Sequence, residues 1–361
     1  MNQDMLYKYL DNLSPAEQFY QMYQKMKEDP EQFRRFLAAL TPEALSSEGY
    51  LIPEFQTKEP VVLQLNHAET AANRRSVRLV KLIRYMPPFL HSHDFFEIIY
   101  ILRGSCEHRF GHQTQTLSTG DLCMISPAFQ HSISTGSCLA LDLMVHPHTI
   151  ENLLSNSLPG KDPISDFLRN GVFLKNFSSQ LTLHTGGDEE TNSQIFDMFI
   201  EEFQPDEYVD PILNHMLIIF LIRLTRKYKK TAESPVTTRT APADTARILR
   251  YMQENYATAS LGELAQILNY SVPYCSKYIK SYLGQSFSQL QKQIRFQKAT
   301  NYLINTDLSV DKISERIGYA NPENFMRTFK KEFGISPTRY RLINRGGGSD
   351  SAVPSLPELF W

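Results

Sequence analysis

One amphipathic unit occurs twice between Ala259 and Arg341, and no other feature of the chain narrows its fold so far. The first copy, SLGELAQILNYSVPYCSKYIKSYLGQSF, runs from Ser260 to Phe287. The second, SVDKISERIGYANPENFMRTFKKEFGISP, runs from Ser309 to Pro337. Each opens on helix-spaced apolar residues: Leu261, Leu264, Ala265 and Leu268 in one, Val310, Ile313 and Ile317 in the other. A turn follows at Asn269-Tyr270 or Gly318-Tyr319. A second helix is predicted over Val272–Leu283 and Pro322–Phe333, each ending before a glycine, Gly284 or Gly334. Two short helices joined by a tight turn form the helix-turn-helix plan, and a tandem pair of them points to DNA.

Charge supports this. The formal net charge of the chain is −2, but Pro242 to Arg345 holds 15 Lys and Arg against 8 Asp and Glu. A basic half on an otherwise acidic chain suggests a polyanionic partner. Ser260 with Glu263 reads as a capping box, and Asn321 before Pro322 as a cap followed by a first-turn proline. Free N–H groups at such helix ends can meet phosphate. In the first of these second helices Val272, Cys275 and Ile279 form the expected core face, and Pro273, Tyr274, Ser276, Lys277 and Lys280 lie opposite. In the second, Phe325 and Phe329 are expected inside, leaving Glu323, Asn324, Met326, Arg327, Lys330 and Lys331 accessible. Basic side chains in mid-helix suit guanine or phosphate, and Asn324 suits adenine. Ile294 to Leu303 reads as a helix joining the two copies, which would hold them for successive major grooves ~34 Å apart.

Ahead of this region the chain changes character several times. Residues 1–70 read as a helical arm: Ser14-Pro15-Ala16-Glu17 matches a capping box with a first-turn proline, and Phe19, Tyr20, Tyr23 and Met26 follow at helical spacing. Asp29-Pro30 breaks the pattern before Gln32 to Leu40 resumes it. From Val77 to Tyr85 the period becomes two. Short β-rich runs follow at Phe95–Leu102, Cys106–Phe110, Gln113–Leu117, Leu122–Ile125, Leu139–Val145 and Gln180–His184, separated by glycine turns, as in an antiparallel sandwich or barrel. Residues 150 to 190 are otherwise weakly patterned. Two helices are expected at Ile195–Phe203 and Pro211–Tyr228. Leu213/Phe220 and Leu217/Leu224 stand seven apart, the spacing of a helix–helix seam or of a helix packed on its own barrel. Lys229 to Ala243 reads as an exposed linker.

Two stretches of the β region, HSHDFFEIIYILRG and GDLCMISPAFQH, resemble the two motifs of the cupin superfamily. His91, His93, Glu97 and Gly104 keep the first spacing; Gly120, Pro127 and His131 keep the second. Phe129 stands where the motif has a glycine and Thr135 where it has an asparagine. In metal-dependent cupins the counterparts of His91, His93, Glu97 and His131 bind a divalent ion. Strand alternation brings His91, His93 and Glu97 to one face, and three imidazoles with a carboxylate suit Zn, Fe, Mn or Ni. Sensor cupins joined to DNA-binding domains often keep this pattern without metal. The four residues are therefore assigned to an effector pocket, with metal ligation as the alternative and no cofactor expected. His67, His108, His112, His146, His148, His184 and His215 form no comparable cluster and receive no role.

From about Thr245 to Arg341 the chain resembles the AraC family of transcriptional regulators. Gly318-Tyr319, the helix ending in Phe329-Lys330-Lys331, and Gly334-Ile335-Ser336-Pro337-Thr338-Arg339-Tyr340-Arg341 follow the family's second unit. The resemblance implies that Lys277 and Arg327 face bases, while Lys280, Lys330 and Lys331 hold the backbone.

The expected fold is multidomain α+β: an antiparallel β-barrel (cupin-like) sensor domain with flanking helices, followed by an all-α tandem helix-turn-helix domain. Its parts are a helical arm (1–70), the barrel (71–190), a helical dimerisation element (191–228), a linker (229–243), the DNA-binding domain (244–345) and a tail (346–361). In the tail, GGGS followed by SDSAVPSLPELFW reads as a spacer with a fused peptide or tag. The expected function is sequence-specific DNA binding controlled by a small-molecule or peptide effector, in a homodimer on promoter double-stranded DNA with RNA polymerase as a further partner. The alternative is a metal-dependent cupin enzyme with a DNA-binding appendage. Cys106, Cys123, Cys138 and Cys275 lack CxxC spacing, no apolar run reaches the ~18 residues of a membrane span, and no signal peptide is visible. The expected location is the cytoplasm, away from membranes.

Overall fold

The computed structural model describes residues 8–55, 63–65, 75–156, 162–173, 179–228, 236–237 and 243–345. The expectations for His67, for most of the linker and for the tail fall outside these residues. The chain divides into two compact units. One comprises Met1–Ile150, Gly160–Gly171 and Phe177–Arg239; the other comprises Glu151–Pro159, Val172–Asn176 and Thr240–Trp361.

The first unit opens with α1 (Pro15–Met26), α2 (Pro30–Ala38) and α3 (Pro42–Ser47), each headed by a proline. The predicted box at α1 is complete: Glu17 N–H donates to Ser14 Oγ at 3.2 Å, and Ser14 N–H donates to Glu17 Oε2 at 2.7 Å. Tyr20, Tyr23, Leu45 and Ile52 form the buried centre of this arm. Lys81 and Arg84, on and just after the first long strand, reach Glu17 at 2.7 and 2.9 Å, which ties α1 to the β structure.

The strands are β1 (Leu63–Leu65), β2 (Val77–Lys81), β3 (His91–His93), β4 (Phe96–Arg103), β5 (Ser105–Phe110), β6 (Gln113–Ser118), β7 (Asp121–Ile125), β8 (Ser132–Ser134) and β9 (Leu139–Val145). After α4 (Pro147–Asn156) and α5 (Pro163–Phe173) come β10 (Ser179–His184), α6 (Glu189–Glu202), α7 (Val209–Tyr228) and β11 (Val236–Thr237). The expected barrel takes the form of two antiparallel sheets around one apolar core. Their orders are β11-β10-β7-β4-β9-β2 and β6-β5-β8. A parallel pair, β1 with β3, and a bridge between His91 and His131 complete the β structure described. Alternation is plainest on β5, where Cys106, His108 and Phe110 are buried and Ser105, Glu107 and Arg109 exposed. Gly120 is obligatory: its φ is +86°, and a Cβ there would lie 2.1 Å from the backbone nitrogen of Gly187.

Several expectations change. The first strand stops at Lys81 instead of Tyr85, because the chain turns away so that Arg84 meets Glu17, with Tyr85 at φ +64°. The weakly patterned stretch holds two helices, α4 and α5. Val236 and Thr237, placed in the linker, pair with β10. Leu213, Leu217, Phe220 and Leu224 are at most 3% exposed, so α7 turns that seam into its own unit.

The second unit is all helix: α8 (Ala243–Glu254), α9 (Leu261–Leu268), α10 (Val272–Leu283), α11 (Phe287–Asn305), α12 (Val310–Arg316), α13 (Pro322–Phe333) and α14 (Pro337–Arg345). The turn between α9 and α10 is closed by Asn269 in the left-handed region. Gly284 and Gly334 end α10 and α13 in the same conformation. The joining helix is continuous over 19 residues, about 28 Å. Two local expectations fail. Val272 is 46% exposed, and Tyr278 joins Cys275 and Ile279 inside instead. Ser260 does accept from Glu263 N–H, but the Glu263 carboxylate accepts from Tyr251 Oη at 2.7 Å, so the box is not reciprocal. Among the described residues no helix is long and apolar enough to cross a membrane.

Candidate ligand site and nucleic-acid interface

Three histidines are oriented by their own backbone. His91, His93 and His131 place Nδ1 at 3.0, 2.7 and 3.1 Å from the carbonyl oxygens of Phe89, Phe95 and Phe129. A carbonyl only accepts, so each Nδ1 carries a proton and is committed to the backbone, which leaves each Nε2 as the ring atom free to meet the site. Paired backbone hydrogen bonds between His91 and His131, at 2.9 and 3.0 Å, bring two of these rings together, with centroids 4.2 Å apart. The amide of Ala128 donates to the carbonyl of His93 at 2.8 Å and fixes the third.

Glu97 on β4 faces the same space. Its Oε2 lies 3.2 Å from His131 Nε2 and 3.4 Å from His93 Nε2, without the angles of a hydrogen bond. The ligand-type atoms of His91, Glu97 and His131 all lie within 4.8 Å of one another. Glu97, His93 and His131 are buried and His91 is half-buried. Burial pushes the Glu97 carboxyl up, but the imidazoles of His131 and His93 outweigh it and hold it well below the usual carboxylate range. Burial, with His131 alongside, takes His91 down to about 4. Near neutral pH the site therefore presents a carboxylate and a neutral His91.

The structure thus brings together all four residues expected from the motifs and adds two that were not. His108 on β5 is fully buried, its ring centroid is 5.1 Å from that of His131, and burial takes its pKa down to about 3. Asp142 on β9 is 7% exposed, and burial and then Glu97 raise its pKa well above the usual range. Both signals were present in the sequence. His108 keeps the inward parity of Cys106 and Phe110, and Asp142 is the one acid in the apolar run LALDLMV. The motif departures also have a cause. Phe129, where a glycine was expected, is fully buried in the apolar core, and the left-handed residue of that turn is Ala128, at φ +61°.

In the second unit the ten residues expected to touch DNA are all exposed: Pro273, Tyr274, Ser276, Lys277 and Lys280 on α10, and Glu323, Asn324, Arg327, Lys330 and Lys331 on α13. Cys275, Ile279, Phe325 and Phe329 form the buried opposite faces. Ser271 caps α10 and Asn321 caps α13, the latter accepting from Glu323 N–H at 2.8 Å. Arg327 donates to Asn324 Oδ1 at 3.2 Å, so the two side chains capable of reading bases on α13 are held side by side. Other basic residues have structural duties. Arg295 donates to the carbonyls of Tyr256 and Ala257 at 2.9 and 2.8 Å, and Arg341 binds the carbonyls of Leu303 and Leu308. The local positive charge is therefore shared between surface and scaffold.

Comparison with known proteins matches residues 84–178 to an AraC-like ligand binding domain and residues 264–342 to a helix-turn-helix domain. The HTH-type transcriptional activator RhaR of Mannheimia succiniciproducens is 25% identical over 287 residues, 78% of this chain and 97% of that protein. The uncharacterized HTH-type transcriptional regulator YtdP of Bacillus subtilis is 29% identical over 164 residues, 43% of this chain; the match spans 19% of YtdP. Among solved structures, the C-terminal domain of AraT, a response regulator from Geobacillus stearothermophilus, is 32% identical. That match covers 32% of this chain and 95% of that one, with a TM-score of 0.28.

Proposed function

The chain belongs to the AraC family of transcriptional regulators, and from that premise we propose that the His91, His93, Glu97 and His131 cluster takes the effector while α10 and α13 read promoter DNA. The carrying observation is that four inward-facing polar groups, each set by local backbone or strand register, occur in one chain with two capped helices whose outer faces are polar and basic. Lys277 and Arg327 contact bases; Lys280, Lys330 and Lys331 contact phosphates, with Pro273, Tyr274, Ser276, Glu323 and Asn324 on the same faces. The effector is a small molecule or peptide, and the protein acts as a homodimer, with RNA polymerase as the further partner of an activator. Because the α7 seam is buried, the partner copy meets its outward face, where Ile212 and Ile219 are 41% and 49% exposed.

A divalent metal ion is a second reading, and one observation favours it. His93 Nε2, Glu97 Oε2 and His131 Nε2 are buried without hydrogen-bond partners, and the three Nδ1 atoms are committed to backbone carbonyls. Such a set fits a cation. His91, Glu97 and His131 would hold it, with His93 alongside Glu97. Once bound, the ion would supply positive charge opposite the Glu97 carboxylate. The rival function, a metal-dependent cupin enzyme, requires turnover as well as metal; the regulator requires neither.

The test is direct. Arg327→Ala in the full chain should cost about 1–3 kcal/mol on a specific site and much less on random DNA. Glu97→Ala should leave DNA affinity in vitro near wild type and change the response of the promoter in cells. Equal losses on both DNAs would make Arg327 a backbone contact. An unchanged promoter response would remove Glu97 from the effector site.

A further inference from the structure

The first turn of α10 exposes three apolar or aromatic side chains in succession. Val272, expected inside, is 46% exposed, Pro273 is exposed, and Tyr274 is 52% exposed. The fold does not call for this. The core face of α10 is filled by Cys275, Tyr278, Ile279 and Leu283, and a β-branched residue on a helix surface is less stable there than alanine. Tyr274 is nonetheless held in place. Its ring meets that of Tyr270 edge-on, with centroids 4.7 Å apart, and its amide donates to the capping Ser271 Oγ at 3.4 Å. Tyr270 is itself anchored, its hydroxyl donating to Asp244 Oδ2 at 2.5 Å.

This turn runs in line with the basic face of the helix. Val272 stands one helical turn before Ser276 and two before Lys280, and Pro273 stands one turn before Lys277. The start of α13 is polar instead: Glu323 and Asn324 are exposed, and Arg327 donates to Asn324 Oδ1 at 3.2 Å. The two copies of the unit therefore carry different chemistry at the same place. In helix-turn-helix proteins the N-terminal residues of the second helix contact base edges. The one apolar group that base pairs present in the major groove is the 5-methyl of thymine. Lys277 and Lys280, immediately beyond the turn, favour a polyanionic occupant over an apolar protein surface.

We propose that the first copy reads thymine, through contact of the 5-methyl group with Val272, Pro273 and Tyr274, whereas the second reads its bases by hydrogen bonding. The proposal rests on α10 and α13 as DNA-reading helices. It adds Val272 to their residues and makes the two elements of the site chemically unlike.

Deoxyuridine in place of thymine keeps the base pair and removes one methyl group, so it tests the contact directly. The full chain is used to select sites from a random-sequence duplex pool, and a selected duplex is remade with each thymine replaced in turn. At one or more thymines of one element the wild type should lose affinity about fourfold per methyl, the weight of one buried methyl-sized group. Val272→Ala and Tyr274→Ala should bind the thymine duplex more weakly, and at least one of them should no longer distinguish the two bases there. Arg327→Ala should keep the distinction, because it acts in the other element. A selected site at which the wild type ignores every replacement would overturn the proposal and leave sequence reading by α10 and α13 in place. Discrimination undiminished in both Val272→Ala and Tyr274→Ala, or lost in Arg327→Ala alone, would overturn it too. A pool from which no sequence is enriched would remove the DNA-reading premise itself, and the proposal with it.

Discussion

Glu17 caps α1 and, through the same carboxylate, meets Lys81 and Arg84. Burial raises its pKa, but the bonds from Arg84 and Lys81 outweigh burial and bring it from 4.5 to about 2. The folded value lies below the unfolded one, so this stabilisation is complete above about pH 4.5 and is lost as pH falls toward 2. Glu17→Gln should cost about 3–5 kcal/mol at neutral pH, because Arg84 stays buried without its counter-charge. Denaturant titrations at pH 7 and pH 3 should show the gap to wild type narrowing; a constant gap would place the stabilisation elsewhere. At this scale the sequence was partly legible. The cap at Ser14 and the inward set of His91, His93, Glu97 and His131 follow from spacing. The reach of Glu17 to Lys81 and Arg84 does not, because it joins residues more than 60 apart. His108 and Asp142 could have been read from strand parity, but only once the strand faces were assigned.

At the scale of elements, legibility tracks how local the cause is. The helices α10 and α13 run over the residues that their caps and closing glycines indicated. Where a distant partner intervenes, the reading fails. Glu263 leaves the cap for Tyr251, and β2 ends early because Arg84 is drawn to Glu17. The helices α4 and α5 were missed because prolines and short glycine breaks interrupt their pattern. Two glycines test the packing of the helix-turn-helix units. At Gly318, φ +83°, a Cβ would sit 2.1 Å from the carbonyl oxygen of Ala257; at Gly334, φ +75°, a Cβ meets nothing within 4 Å. Gly334→Ala should therefore lose only the backbone strain, about 1–2 kcal/mol. Gly318→Ala should lose clearly more, because backbone must move. Thermal melts of the two variants check this, and equal losses would mean that the Ala257 contact carries no weight.

At the scale of the molecule, an overall charge near zero conceals a division of labour. The helical region carries a positive excess and the rest of the chain a negative one. The helical unit is ordered about a continuous helix, α11, that joins two helix-turn-helix copies, so both reading helices should act on one DNA site. The β unit encloses a buried histidine–carboxylate cluster. The central claim is that α10 and α13 recognise DNA sequence. Its most direct test is genome-wide mapping of DNA bound by the wild-type chain and by the Lys277→Ala, Arg327→Ala double variant, at equal expression. The wild type should occupy a small set of promoter sites sharing a motif with two elements about one helical turn, ~34 Å, apart, and the variant should lose them. Sites that persist unchanged in the variant, or a wild type with no preferred sites, would contradict the account.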